Sequence, residues 1–514
     1  NEALGGTLYV DETEPLYDIG VRLHSSERGR PDSSRVGFTL EFDADRPFRG
    51  VHDSVTLDRS GGYSGRGGRQ DEIVLRHIMT QAGGLPEMYT DLVRGIYPRN
   101  LDGRRTGVAQ LVTTKYGDGF LEDSYPDGSD GSLFKLELIY YPTTSVGGNP
   151  QNPKLPQPDD VIGTDIQDRG DDPEAYRWYF PIENLRSGDD YAPMIRLAKA
   201  MSLGGAALDR QSRDLMDVDQ WARVMALKSL SGDADTYAVG YPHNQFIYFR
   251  PGDGKALTFP WDMDFCWARG PTESLPVGAN IGRILELPGN LRLFYGHIQD
   301  LLNRSYNPTY LARWTSHFGT LAGQNYGGVL TYIRQRSAYA RQQLPPAVPL
   351  SIRTGAGQDV LTGASTITLT GTAGIDLRTL VLRSPETAGA WTWSSITEWQ
   401  IRVPLWLGTN RLEVLGYDFA GQLAASNAIT VVSTAVGGGA DLDADGLPDA
   451  WERVNGLGPL RADSLADADG DGFANRDEYL AGTDPQRAGS RLRIQADGAV
   501  DLREFDVGAA EDTR

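Results

Sequence analysis

The sequence predicts a multidomain chain. A two-lobed α+β region over residues 1–345 is followed by an all-β sandwich over 346–436, a small module of two tandem acidic loops over 437–489, and the start of a further β segment or tail over 490–514. Three observations carry this reading. Strand and helix patterns mix as far as the cluster Pro345, Pro346 and Pro349. Strict apolar–polar alternation with closely spaced turns then takes over, as an all-β sandwich requires. Gly437-Gly438-Gly439 finally opens a flexible joint onto an acidic pattern that occurs twice. A length of 514 residues also suggests about three domains of roughly 150 residues each.

In the first region, residues 72–82 place Ile73, Val74, Ile78 and Ala82 near one helical face, and Gly83-Gly84 supplies the stop. Segments 90–98, 107–116 and 132–141 read as strands, rich in β-branched and aromatic residues. Segments 191–203, 217–230, 292–304, 308–321 and 328–343 read as amphipathic helices. Strands first and helices later give an α+β arrangement in which two lobes fit. In the second region the alternation is clearest in Thr366-Ile367-Thr368-Leu369-Thr370, Leu380-Val381-Leu382, Trp399-Gln400-Ile401-Arg402-Val403 and Arg411-Leu412-Glu413-Val414-Leu415. The run from Val403 to Asn410, leading into Gly416-Tyr417-Asp418-Phe419-Ala420-Gly421, resembles bacterial Ig-like modules of secreted enzymes, which implies a spacer or stalk without chemistry of its own.

Composition narrows the function classes. With 49 Lys and Arg against 69 Asp and Glu the net charge is −20, which argues against nucleic acid as a partner, because phosphate backbones are held by cations. No stretch approaches the ~18 apolar residues of a membrane span. The start Asn1-Glu2-Ala3-Leu4 has no signal pattern, so for an exported protein the signal is expected to have been removed. The single Cys266, in the apolar run Phe265-Cys266-Trp267, excludes an internal disulfide and reads as a small buried hydrophobe. His24, His52, His77, His297 and His317 show no metal spacing and read as structural, while His243 adjoins a candidate site residue. Only six of the basic residues are Lys, a scarcity that matters for any phosphate site.

The sharpest motif is the acidic pair. Residues 441–452 carry Asp441, Asp443, Asp445, Asp449 and Glu452 at loop positions 1, 3, 5, 9 and 12, with Gly446 at position 6. Asp467, Asp469, Asp471, Asn475 and Glu478 repeat the pattern 26 residues later around Gly472. Ca²⁺ takes six to eight oxygens, and this EF-hand-like spacing supplies them from one tight loop. Leu447 and Phe473 at position 7 would add backbone carbonyls, and the position-12 Glu would bind through both oxygens. Residues 437–489 hold twelve acids and four bases, a net of −8 that two Ca²⁺ would halve. Solvated acidic loops are the plainer alternative, but that much like charge in one turn is costly without a cation. The stretch from Asn475 to Pro485 resembles thrombospondin type 3-like and dockerin-like repeats of bacterial surface proteins. That resemblance implies two structural calcium ions and a location outside the cell or on its surface.

The second motif is spread over 232–264: Gly232-Asp233-Ala234-Asp235, then His243-Asn244-Gln245-Phe246-Ile247-Tyr248-Phe249, then Pro260-Trp261-Asp262-Met263-Asp264. An acid follows a helix, an Asn begins a strand, and an Asp pair closes the next strand. Phosphoryl transfer needs such a set, with one carboxylate to orient the attacking hydroxyl and an Asn and an Asp to hold Mg²⁺. Asp-rich turns capped by Gly are the structural alternative. These motifs, with Val21-Arg22-Leu23, residues 38–42, Leu75-Arg76-His77, residues 107–112 and Gly131-Ser132-Leu133-Phe134-Lys135, resemble the CotH kinase family over roughly residues 10–340.

The resemblance implies an atypical secreted kinase that uses ATP with Mg²⁺ or Mn²⁺ to phosphorylate Ser or Thr of a protein substrate or surface partner. It assigns Asp235 as catalytic base, Asn244 and Asp262 as metal holders, Asp264 as support, and Lys135 as the phosphate-binding lysine; an arginine such as Arg22 or Arg35 can also hold phosphate bidentately, though not as a like-for-like substitute for lysine. Val112-Thr113-Thr114 stands where many members have Val-Glu, so a lysine–glutamate pair would lack its acid there. The competing expectation is a catalytically degenerate, kinase-like surface adhesion or structural protein.

Overall fold

The computed structural model describes residues 3–11, 13–24, 37–58, 69–95, 109–140, 147, 149, 161–240, 242–384, 388–434 and 441–490. Arg35, the Gly437-Gly438-Gly439 joint and the 490–514 segment beyond Ser490 lie outside the described residues. The chain divides into two units, Asn1–Pro345 and Pro346–Arg514. Among the described residues no helix is long and apolar enough to cross a membrane.

The first unit begins with β1 (Leu4–Val10), β2 (Glu14–His24), β3 (Gly37–Glu41), β4 (Ser54–Asp58), α1 (Glu72–Ala82), β5 (Thr90–Val93) and β6 (Gln110–Thr113). These strands make one antiparallel sheet in the order β1-β2-β3-β4-β6-β5. Leu16, Ile19, Leu40, Val55 and Val112 form its apolar side. Helix α1 fills the span its periodicity predicts and ends on Gly83 at φ 65°. Its Arg76 is buried with its charge paired, because Glu72 one turn back accepts from it at 2.6 Å.

After α2 (Asp118–Ser124) come β7 (Leu133–Leu136), β8 (Ile139–Tyr140), β9 (Val161–Ile162), α3 (Glu174–Arg177), α4 (Ala192–Met201), α5 (Gly205–Leu215) and α6 (Val218–Ser231). The hairpin β10 (Gln245–Phe249) and β11 (Ala256–Pro260) follows, then α7 (Ala279–Leu285), α8 (Pro288–Asn303), α9 (Pro308–Ala322) and α10 (Gly327–Gln343). Strands β11-β10-β7 form a second antiparallel sheet, with Phe246 paired to Lys135 and Gln245 to Pro260. Helix α6 is the organiser. Asp217 caps it by accepting from Gln220 N–H at 3.2 Å, and every residue from Trp221 to Ser231 is buried. Gln220 also pairs with Thr258 through both backbone groups, so the edge of β11 is covered by the start of α6. Trp221 is fully buried and donates to Ala256 O at 2.9 Å; truncating such a residue costs about 3–5 kcal/mol.

The second unit is β-rich. It holds β12 (Ser351–Ile352), β13 (Val360–Thr362), β14 (Thr366–Thr372), β15 (Leu377–Arg383), β16 (Thr392–Trp393), β17 (Glu398–Pro404), β18 (Gly408–Asp418) and β19 (Leu423–Ser433). Two sheets, β12-β14-β17-β16 and β13-β19-β18-β15, share one core in which Leu369, Trp399 and Ile401 meet Leu412, Val414, Ile429 and Val431. The alternation along 398–404 appears directly as alternate buried and exposed positions. Helices α11 (Asp449–Val454) and α12 (Asn475–Ala481) follow, joined by Trp451 and Tyr479, whose ring centroids lie 5.0 Å apart.

Some elements depart from the sequence reading. Of the 107–116 strand, residues 107 and 108 lie outside the described residues, and the described part is strand only over Gln110–Thr113, because Thr114 N–H turns to Tyr89 O and Tyr116 enters an aromatic core with Phe246 and Phe259. Helix α5 is absent from the sequence reading, since it is polar overall and only Leu208 and Ser212 along it are buried.

Candidate functional site

The first site is built where α6 stops. Gly232 ends the helix at φ 60°, and a Cβ there would sit 1.9 Å from Tyr332 Oη, so the reversal admits only glycine. The released chain forms the turn 233–236. Asp233 is fully buried, and its Oδ1 accepts from Asp235 N–H at 2.9 Å. Its neighbour Lys228, also fully buried, donates to Gln245 Oε1. Burial drives the two ionisations toward neutrality, lowering Lys228 and raising Asp233, while their mutual attraction opposes both shifts.

This arrangement presents Asp235 half-exposed, with His243 Nε2 3.5 Å from its Oδ2. Asn244, in a left-handed conformation at φ 56°, donates from Nδ2 to Asp235 O at 2.7 Å. Its amide nitrogen is thereby pinned, and its Oδ1 takes no hydrogen bond among the described residues. Trp261 N–H donates to Asn244 O at 3.3 Å, which sets Asp262, also left-handed at φ 48°, at the same end of the β10–β11 hairpin. The segment carrying Asp262 and Asp264 is stitched to the turn by Ala234 N–H to Phe265 O and Trp267 N–H to Ser231 O, at 3.4 and 2.7 Å. Asp235, Asn244 and the Trp261-Asp262 step therefore converge on one edge, from three separate stretches of sequence.

Lys135 lies on the neighbouring strand. It pairs with Glu137 and sits 5.6 Å from the Trp261 ring centroid and 5.9 Å from that of Phe246. Sequence reasoning missed Lys115. It is half-buried, and among the described residues it makes no ion pair. Burial first, then the charges of Arg22 and Lys135, push it below the ordinary lysine value, while Glu183 and Glu41 oppose them. Arg22 in turn pairs with Glu41 at 2.6 Å. Thr113 is buried with its hydroxyl donating to Thr114 O at 2.9 Å and contributes no acid. Carboxylates do reach this cationic group, but from Glu41 and Glu137.

Asp235, Asn244 and Asp262 thus gather at one edge of a mixed α and β fold, and Lys135, beside Trp261, is coupled electrostatically to Lys115, which also feels Arg22. Residues 139–337, which carry Asp235, Asn244, Asp262 and Asp264, match the family model described as CotH kinase protein. The match supports the CotH family for this part of the chain and an atypical kinase-like character; it begins after Lys115 and Lys135. No curated protein matches the chain.

The acidic loops form a second group in the other unit. Asp441 Oδ2 accepts from Gly446 N–H at 2.9 Å, and Asp467 Oδ2 from Gly472 N–H at 2.7 Å, each Gly at a φ above 90°. Carboxylate oxygens of Asp441, Asp443 and Asp445 lie within 4.8 Å of one another, as do those of Asp467, Asp469 and Asp471. Position 9 closes the loop on itself: Asp449 Oδ1 accepts from Leu442 N–H at 2.8 Å and Asn475 Oδ1 from Ala468 N–H at 3.2 Å. At position 12, Glu452 is fully buried with neither oxygen hydrogen-bonded, and Glu478 is buried with Oε2 in the same state. Burial, then Asp443, Asp445, Asp449 and Asp463, push Glu452 up to about 8. Burial, then chiefly Asp469, push Glu478 up to about 7. At position 7 Leu447 is buried and Phe473 exposed. Crowded, unpartnered carboxylate oxygens are the donor set of a hard divalent cation.

Proposed function

We propose that the chain is an atypical exported protein kinase that transfers the ATP γ-phosphate to Ser or Thr hydroxyls of secreted or surface proteins. Its second unit would be an Ig-like spacer with two structural calcium loops. The observation that carries the kinase reading is the junction of Asp235, Asn244 and Trp261-Asp262, held by the 2.7 and 3.3 Å bonds of Asn244.

Asp235, anchored through its backbone by Asp233, accepts the proton of the attacking hydroxyl. Asn244 Oδ1 and the Asp262 carboxylate would hold Mg²⁺ or Mn²⁺, with Asp264 in support. That metal neutralises charge on the phosphates when bound. Lys115, Lys135 and Arg22 bring positive charge toward the same nucleotide, and the aromatic faces of Trp261 and Phe246 hold the Lys135 ammonium in place.

The buried, acid-free Thr113 is the observation that favours a degenerate surface adhesion or structural protein instead. Calorimetric titration with MnATP separates the two. The kinase reading expects micromolar to submillimolar binding, lost or weakened at least tenfold in Asp262→Ala. A chain that binds no nucleotide, or binds it equally in that variant, is not a kinase. For the loops, the three unpartnered position-12 oxygens, both of Glu452 and Oε2 of Glu478, support calcium, and the resemblance to surface repeats supports export.

A further inference from the structure

We propose that Asp463, which lies outside both twelve-residue loops, is a direct ligand of the cation held by the first loop. The inference rests on the calcium reading of that loop and adds a residue that the loop pattern does not contain.

The linker between the loops folds back over the first one. Ser464 N–H donates to Asp445 Oδ2 at 2.7 Å, and this brings the preceding carboxylate inward. Oxygens of Asp445, Glu452 and Asp463 then lie within 4.8 Å of one another. Glu452 is fully buried and offers two oxygens to this point with no hydrogen-bond partner. Asp463 is 8% exposed, and its Oδ1 also has no partner. A protein does not bury three such oxygens against each other without a cation to receive them. The geometry therefore closes the loop-one site with an acid from the linker.

Asp463 is also tied to the second loop. Its backbone O accepts from Asn475 Nδ2 at 2.9 Å, and Arg476 N–H donates to Ser464 O at 2.9 Å. The second loop has no counterpart. Advancing Asp463 by the 26-residue repeat lands on Gly489. Site one thus gathers Asp441, Asp443, Asp445, Asp449, Glu452 and Asp463, six carboxylates, against Asp467, Asp469, Asp471 and Glu478, four, at site two. Calcium affinity follows ligand charge, so the sites should differ, with site one the tighter.

Calcium titration of the full chain by calorimetry, beside Asp463→Asn, tests this. The wild type should take two ions with unequal affinity. The variant keeps the backbone bond to Asn475 and should weaken the tighter site at least tenfold, leaving the other within about threefold. A second measurement does not depend on that variant folding. Terbium in place of calcium, excited through Trp451, reports bound waters from its lifetimes in H₂O and D₂O. The loop-one ion of an Asp469→Asn/Asp471→Asn chain should carry about one water fewer than the loop-two ion of an Asp443→Asn/Asp445→Asn chain. Equal hydration, or an Asp463→Asn chain with both affinities unchanged, overturns the proposal and leaves the calcium reading standing. A wild type that takes up no calcium at millimolar concentration removes both.

Discussion

Replacing Lys115 by Gln should separate affinity from stability in a way that few surface or core substitutions do. The ammonium is half-buried, has no ion-pair partner among the described residues, and is repelled by Arg22 and Lys135. Removing its charge from the empty protein therefore relieves strain, and the folded state should be unchanged or gain up to about 1 kcal/mol. With nucleotide bound the balance reverses. A charge-assisted hydrogen bond to phosphate contributes about 1.5–3 kcal/mol, so the Kd for the metal–ATP complex should rise roughly 10- to 150-fold. Lys135→Gln makes the comparison. That side chain already has Glu137 and two aromatic faces, so its loss should cost up to about 1 kcal/mol of stability as well as affinity. Urea denaturation and nucleotide titration on the same samples give both numbers. If Lys115→Gln destabilises the protein and leaves the Kd within twofold, Lys115 is a structural lysine and the phosphate assignment is wrong.

Gly232→Ala should cost about 2–5 kcal/mol, combining a left-handed alanine with a Cβ driven into the buried Tyr332 hydroxyl; an unchanged urea midpoint would contradict the geometry of the turn. Asp233→Ala, which removes the acceptor of Asp235 N–H, should lower kcat with KM nearly unchanged, because Asp233 orients Asp235 and does not meet substrate; a change confined to KM would count against this. With calcium chelated, Glu452 and Glu478 have folded pKa values of about 8 and 7, above their ordinary 4.5. The stability such acids contribute is fully present below pH 4.5 and is lost as pH rises through 7 to 8. The chelated module should therefore melt higher at pH 5 than at pH 8, and added calcium should raise melting most at pH 8. A calcium-induced shift larger at pH 5 would refute it.

Much of the helical framework was legible because periodic burial writes itself into sequence. Residues 72–82 and 217–230 fall on α1 and α6, and the glycines that end them are visible in the chain. Asp235, Asn244 and Asp262 stood out for a related reason, since each occupies a turn or strand end with a recognisable local pattern. What stayed hidden depends on contacts between distant segments. Lys115 gains its meaning from Arg22, Glu41 and Lys135 on three other strands and from Glu183, and in sequence it is one lysine after a short β6. The acid expected at position 113 is absent, yet Glu41 and Glu137 bring carboxylates to the cations from β3 and from just beyond β7. Asp463 is hidden in the same way. It falls outside the twelve-residue window, and the Ser464–Asp445 bond folds it back onto the first loop.

The most direct test of the account is transfer itself. The full chain, supplied with γ-labelled ATP and Mg²⁺ or Mn²⁺ and a mixture of exported proteins, should place label on Ser or Thr. Asp235→Asn should abolish that transfer while still binding nucleotide, and Asp262→Asn should lose both. Transfer that survives Asp235→Asn, or a wild type that binds metal–ATP and labels nothing, would contradict it.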